Sequence, residues 1–456
     1  MRDHARTDSA ATAGARNRAE LAACPSAEQT AADVRSGRLS ARVVIEACLE
    51  RIAALEDAVK AWHTLDPDQA RRAAQALDAS GSRGALAGVP VGLKDTIDTA
   101  DMPTENGSVV DEGRRPARDA TVALRLRRAG AVFPGKLVTT VYAYYTPGKT
   151  RNPHHLEHTP GGSSSGSAAA VASGMVPVAL GSQTVGSVIR PAAFCGVWGM
   201  KPSYGAIPAT GYCPLAPSLD TPGVFARSAR DLALVLDVIS GDDGEDEAAY
   251  GAAPLRLLAA LERANTRPRI AFVRSFAWPE LEPGLAALYE QTASSLEAEE
   301  LVLPAEPFHD AAKTQRVIMT VEAREALGPV LARARARLPA LLIDMLEESE
   351  RYSAQDYLAA KRKTRSMRRA FADLMDGFDA AITPPARGEA PRGLDTTGDP
   401  VFCLLWTLLG APAVTVPAFT GPKGLPLGLQ VVAPRGQDAA VLGAALAIAE
   451  RLGVPR

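Results

Sequence analysis

Between residues 41 and 80 the apolar positions recur at helical spacing, and then the pattern changes. In ARVVIEACLERIAALE, residues Val44, Cys48, Ile52 and Leu55 fall on one stripe, and Ser40 stands where an N-cap belongs. DPDQARRAAQALDAS predicts a second helix with a proline in its first turn. LAGVPVGLKDTID is a short apolar run broken by glycines and reads as a strand. ATVALRLRRAGAVF predicts a helix that stops at Gly130 and passes into a strand. Residues 242–265 and 295–375 are charge-rich and helical in pattern, and the basic run KRKTRSMRR reads as a solvated helix face. Strand patterns return in AAITPP, PAVTVPAF and LGLQVVAP before a last helix, AAVLGAALAIAERLG. This alternation is that of an α/β protein. The two ends share one texture, so residues 28–456 read as a single domain with a helical insertion near 242–375. Residues 1–27 read as a disordered or extended lead.

Length and charge narrow the class. At 456 residues a large buried core presents no difficulty. The formal net charge is −2, which argues against a generalised nucleic-acid or acidic-lipid binder. Five cysteines, widely spaced and without a CxxC pair, make a disulfide framework or a zinc ribbon improbable and fit a cytoplasmic protein. The first twenty residues lack the apolar core of a secretory signal. Pro400 to Pro422 is uncharged and near spanning length, but Pro412 and Pro417 interrupt it, so buried core is expected rather than a membrane span.

The chemistry is concentrated in one region. Residues 159–211 are rich in glycine, serine and alanine and contain no acidic residue. There is no HExxH and no phosphate-binding GxxxxGK[ST]. His154 and His158 have metal-ligand spacing, but Pro153 and Pro160 flank them, so a polar loop is expected and no metal site. Lys94 sits in uncharged company, GVPVGLKD. Buried there it would lose hydration, and its neutral amine could accept a proton. An ordinary strand-end lysine fits the same local context. The serine turns GGSSSGS and GSQTVGSVIRP can aim several backbone N–H groups at one point, as an anion nest or an oxyanion hole does.

These segments resemble the amidase signature enzymes. GVPVGLKDTID is similar to that family's lysine segment, TPGGSSSGSAAAVASG to its glycine–serine segment, and ALGSQTVGSVIRPAAFCGVWGMKPSYG to its nucleophile segment. RRAGAVFPGK, SLDTPGVFARSARDLALVLDVISG and GLPLGLQVVAP agree in order, so the resemblance runs from about residue 28 to the end. It implies the family's fold, a large mixed central β-sheet surrounded by helices. It also implies a triad of Lys94, Ser163 and Ser187. Ser187 would be the nucleophile, Ser163, after a cis Gly162–Ser163 peptide, the proton relay, and Lys94 the base. The backbone of Thr184, Val185, Gly186 and Ser187 would form the oxyanion hole. Tyr142, Ala143 and Tyr145 would line the acyl pocket. No cofactor or metal is implied.

The chain departs from the family's pattern at three places. Gln183 stands where a carboxylate is usual, Val185 where a glycine is usual, and Val141 where a glutamate is frequent. Val185 must therefore take an ordinary backbone conformation. Arg190 is expected to anchor the nucleophile turn, and Cys195 and Trp198 to belong to the core. The leading expectation is a hydrolase of amides, with carbamates and aryl esters chemically close, acting on a small molecule and alone or as a homodimer. Two other classes stay open: the glutaminase subunit of a tRNA-dependent amidotransferase, and a silent binding protein. The uncharged YAYY stretch speaks against a charged glutamine pocket.

Overall fold

The computed structural model describes residues 24–81 and 84–454. Most of the N-terminal lead, with His4, lies outside the described residues. The helices introduced here are α1 (Ala41–Val59), α2 (Pro67–Ser80), α3 (Thr121–Arg128), α4 (Ser165–Ala172), α5 (Ile189–Cys195), α6 (Ala311–Ala334), α7 (Ala354–Leu374), α8 (Val401–Leu408) and α9 (Asp438–Arg451). The strands are β1 (Trp62–Leu65), β2 (Val91–Lys94), β3 (Gly135–Leu137), β4 (Val178–Gln183), β5 (Trp198–Lys201), β6 (Thr221–Ala226), β7 (Ile270–Val273), β8 (Glu299–Leu301), β9 (Ala380–Thr383), β10 (Ala413–Thr420) and β11 (Pro426–Val432).

All eleven strands join one sheet in the order β1-β3-β2-β4-β6-β5-β10-β11-β9-β7-β8. It is mixed: β2 runs parallel to β3 and β4, β7 runs parallel to β8 and β9, and the centre is antiparallel. Helix signals hold where caps are visible. Ser40 Oγ accepts from Val43 N–H at the start of α1, and Asp66 caps α2 with Pro67 following. The uncharged stretch after Pro400 is α8 and β10, packed in the core. Among the described residues no helix is long and apolar enough to cross a membrane.

Two elements differ from the sequence reading. Trp62–Leu65, inside the stretch read as helices, form the edge strand β1. Residues 242–375, read as helical, also supply β7 and β8, which extend the sheet at its other edge. Both are short, and Glu299 and Glu300 of β8 are exposed, so no alternation announces the strand. The helical reading holds for α6 and α7, whose buried faces carry Ile318, Leu327, Met367 and Phe371. On α7, Arg362, Arg365 and Arg369 are exposed, as the basic run implied.

The register of the parallel pair β2–β4 sets Leu93 beside Leu180, so both strands present their carboxyl ends together. In open α/β sheets that end is where ligands bind. Helix α4 crosses behind it. Its first seven residues are small and buried, and a Cβ on Gly166 would come within 2.5 Å of Val138 N. Only a side-chain-free residue allows α4 to lie this close to the backbone after β3.

Candidate active site

Lys94 ends β2 and is fully buried. Its Nζ donates to Ser163 Oγ at 2.7 Å and to Ser182 Oγ at 3.0 Å. Among the described residues it makes no ion pair. Asp95 points elsewhere, accepting the N–H groups of Glu105 and Gly107, as strand alternation requires. Burial pushes the Lys94 pKa down to about 7, while the negative charge of Asp220 pulls the other way. A lysine near that value exchanges protons readily at neutral pH.

Ser163 follows the peptide Gly162–Ser163, which is cis. Its Oγ meets Lys94 Nζ just before the N-terminus of α4. Arg190 holds the preceding carbonyl, donating from Nη2 to Gly162 O at 2.6 Å, and its Nη1 donates to Gly398 O. Arg190 therefore anchors the turn through both Nη atoms, while its side chain lines the space around Ser187 and its buried Nε has no hydrogen-bond partner among the described residues. Ser163 and Ser187 line one narrow space of about 20 Å³, with Tyr144, Tyr145, Leu215, Met319, Thr397 and Pro400 among its walls. Ser187 is 8% exposed, and its hydroxyl has no hydrogen-bond partner among the described residues.

The turn between β4 and α5 carries the donors. No acceptor within the described residues takes the N–H of Thr184, Val185, Gly186 or Ser187. The carbonyls of the turn are held. Thr407 Oγ1 donates to Val185 O at 2.7 Å, and Arg190 N–H donates to Gly186 O at 3.1 Å. In a trans peptide the N–H points opposite to the C=O. Fixing these two carbonyls therefore turns the Gly186 and Ser187 N–H groups the other way, as a pair of oxyanion donors needs. Val185 is outside the left-handed region, and so is Gly186. Gly186 is needed for space: a Cβ there would lie 2.8 Å from Pro400 Cβ and 3.0 Å from Cys403 Cβ.

Gln183 has a definite task. Its Oε1 accepts from Val188 N–H at 2.8 Å and from Ile189 N–H at 3.0 Å, capping α5. Its Nε2 donates to Thr407 Oγ1 at 2.9 Å. The amide thus does what a carboxylate could do for the helix and adds a donor that orients Thr407. Thr184 Oγ1 donates to Asp220, which also accepts from Leu215 and Ala216 N–H. Burial raises the Asp220 pKa to about 6.

The expected acyl-pocket trio is split. Ala143 and Tyr145 line the space around Ser187, but Tyr142 does not. The Tyr142 hydroxyl donates to Asp111 Oδ2 at 2.9 Å, and Asp111 is also held by Asn106 Nδ2 and Arg333. The reason lies in the backbone. Tyr142, Ala143 and Tyr145 have φ of 47°, 58° and 34°, left-handed values that non-glycine residues adopt only when their surroundings enforce them. That twist turns Tyr142 inward and leaves Tyr144, which the sequence reading passed over, on the cavity wall. Tyr144 accepts from Arg316 Nη1 at 3.1 Å. His154 lies in a turn and His158 in an isolated bridge to Arg392, their rings bonded to Cys195 O and Ala390 O. Among the described residues no three His, Cys, Asp or Glu side chains converge on a metal site. Cys195 and Trp198 are buried in the core.

The family model described as Amidase matches residues 43–442. The chain belongs to the amidase signature family. A glutamyl-tRNA(Gln) amidotransferase subunit from Anaeromyxobacter sp. (strain K) is 34% identical, over 93% of this chain and 96% of that protein. A peptide amidase solved with the competitive inhibitor chymostatin superposes with a TM-score of 0.81 at 30% identity, over 94% of this chain and 98% of that one. A 6-aminohexanoate cyclic dimer hydrolase solved with its substrate gives a TM-score of 0.83 at 25% identity, over 95% and 98%. The two solved structures share the overall fold over most of this chain.

Proposed function

We propose that this amidase hydrolyses C–N bonds of neutral small-molecule amides through an acyl-enzyme on Ser187. The observation that carries the reading is the buried Lys94–Ser163 hydrogen bond beside Ser187 and a turn of unpaired N–H groups. Membership of the family, and the two hydrolases of like fold, support an amide-cleaving enzyme.

In the neutral state Lys94 Nζ accepts the Ser163 proton while Ser163 Oγ takes the Ser187 proton. Ser187 Oγ then attacks the carbonyl carbon. The oxyanion falls between the N–H groups of Gly186 and Ser187, with those of Thr184 and Val185 beside them. One such donor is worth about 3–4 kcal/mol. The proton returns through Ser163 to the nitrogen as the C–N bond breaks, since an amide nitrogen leaves only when protonated. Water repeats the route to release the acid. Carbamates present the same planar carbonyl and amine, and aryl esters a better leaving group, so both fall within reach of the same steps.

The relatives named as amidotransferase subunits favour a second reading, a glutaminase chain working with partners. A glutamine substrate brings an α-carboxylate and an α-ammonium. Beside Ser187, the residues Ala143, Tyr145, Leu215, Met319 and Pro400 are uncharged, and Arg190, the charged residue lining that space, has Nη1 and Nη2 bound to protein acceptors, which leaves an α-carboxylate without a free guanidinium edge there. That supports the neutral-amide reading. The test is hydrolysis of an amide, a carbamate and an ester of one aryl group, beside glutamine, by the wild type and Ser187→Ala. Amide or carbamate turnover lost in the variant is expected. Glutamine turnover alone would establish the second reading, and no turnover would favour a chain that needs its partners, or a silent protein, over the hydrolase reading.

A further inference from the structure

A second cavity, of about 320 Å³, adjoins the space around Ser187 and shares Ala143, Thr184 and Leu215 with it. Ser182 forms another part of its wall, and the same hydroxyl accepts from Lys94 Nζ. The cavity wall therefore reaches the base of the relay through Ser182, which is hydrogen-bonded to Lys94. Its chemistry is one-sided. Ile207, Ala209, Tyr212 and Pro214 give apolar surface, the charged lining residues are all acidic, and no lysine or arginine lines it. Asp220 and Asp246 are engaged by backbone amides and Glu245 by Arg118. Glu247, exposed at the rim, has no partner among the described residues. Arg435 stacks on the Tyr204 ring 5.3 Å from its centre without entering the wall.

A third, more open cavity of about 740 Å³ meets the Ser187 space from another direction, at Tyr145 and Pro400. It carries Glu280, Glu282, Glu389 and Asp399 and one arginine, Arg387, which is paired with Glu280 and Asp399, and Ser182 is not in its wall. The nucleophile thus stands between two chambers, as a bond with a group on each side requires.

We propose that the 320 Å³ cavity holds the amine half of the substrate, a primary or secondary amine on a compact apolar body, and the larger cavity the acyl half. The assignment rests on the hydrolase reading above and extends it. The departing nitrogen has to sit where a proton can reach it, and the chamber bordered by Ser182 is the one next to Lys94. The balance is complete within the protein. The Ser187 Oγ–carbon bond forms, the C–N bond breaks, and the proton lost by Ser187 ends on nitrogen. A free alkylamine then takes a further proton from water near neutral pH, because its basicity resembles that of lysine. An apolar chamber whose charges are all negative retains such a cation and repels the carboxylate co-product. Its volume is at the small end of ligand cavities, which suits one ring or a short chain.

The test uses benzylamine and benzoate as probes of the purified full chain, by titration calorimetry and by inhibition of amide turnover. Benzylamine is expected to bind and benzoate to bind at least tenfold more weakly in this chamber. Ala209→Phe and Ala248→Leu each fill it, so that a fold defect in one leaves the other. Either is expected to weaken benzylamine binding at least tenfold. Either is also expected to lower kcat/KM for a benzylamide at least tenfold more than for the methylamide of the same acid. Benzylamine binding unchanged in both folded variants would overturn the proposal. Calorimetry needs no turnover, so the two readings fail separately. Benzylamine lost on filling without any amide hydrolysis would keep the amine site and remove the hydrolase. Hydrolysis with benzylamine indifferent to filling would do the reverse.

Discussion

Lys94→Met removes the amine while keeping a side chain of similar length in the same buried slot. Lys94 has a pKa of about 7 against an ordinary value near 10.4. At pH 7 about half the molecules therefore carry the neutral base, where an unperturbed lysine would leave roughly one in 2,500 neutral. The slot at the end of β2 raises the supply of base by on the order of 10³. A positioned general base contributes about 10²–10⁴ in rate. Lys94→Met should lower kcat/KM for a neutral aryl amide by that factor at pH 7. The sign with pH is set by which form is active. The neutral amine is, so wild-type kcat/KM rises about tenfold per pH unit below pH 7 and levels off above it, and the variant loses this limb. The assay is initial rates across roughly pH 5.5 to 9 at constant ionic strength, with a melting curve to verify folding. A wild-type profile already flat at pH 6, or a folded variant within tenfold of wild type at pH 7, would refute the assignment of Lys94 as base.

Asp220→Asn removes the charge that lifts the Lys94 pKa, so the acid limb should move to lower pH; an upward shift contradicts the electrostatics. Gly186→Ala drives a methyl against Pro400 and Cys403 and displaces the turn, so kcat should fall about 10²-fold with KM little changed, and full activity would exclude this turn as the oxyanion site. Thr407→Val leaves Val185 O and Gln183 Nε2 without a partner, which should cost about 1–3 kcal/mol in a denaturant titration and lower kcat, with Thr407→Ser restoring both.

The residues legible in the sequence are those fixed by local pattern. Lys94 lies in a strand-like run, Ser163 and Ser187 in glycine-framed turns, and the structure sets these segments together because β2 and β4 pair in parallel. Ser182 is visible as a turn serine, but its bond to Lys94 depends on that pairing. Thr407 cannot be read from its surroundings. It comes from α8, more than two hundred residues beyond the turn it orients, and nothing around it in VFCLLWTLL marks it as different from core. Tyr142 departs from expectation for a related reason. Position along the chain says which residues are near the site, but a left-handed φ at three of four positions decides which of them face it. Strands β7 and β8, four and three residues long, lack the length that alternation needs to be recognised.

The walls of the two outer chambers consist mainly of connections between elements. Tyr204 to Pro217, Glu245 to Ala248, Glu280 to Pro283 and Arg387 to Pro400 lie mostly outside the strands, while Lys94 and Ser182 are in them. Loops accept replacement far more readily than paired strands. A change of diet for this enzyme therefore needs no renegotiation with its chemistry. New loops can alter which amine and which acid are admitted, one chamber at a time, with the bond-breaking apparatus left as it stands.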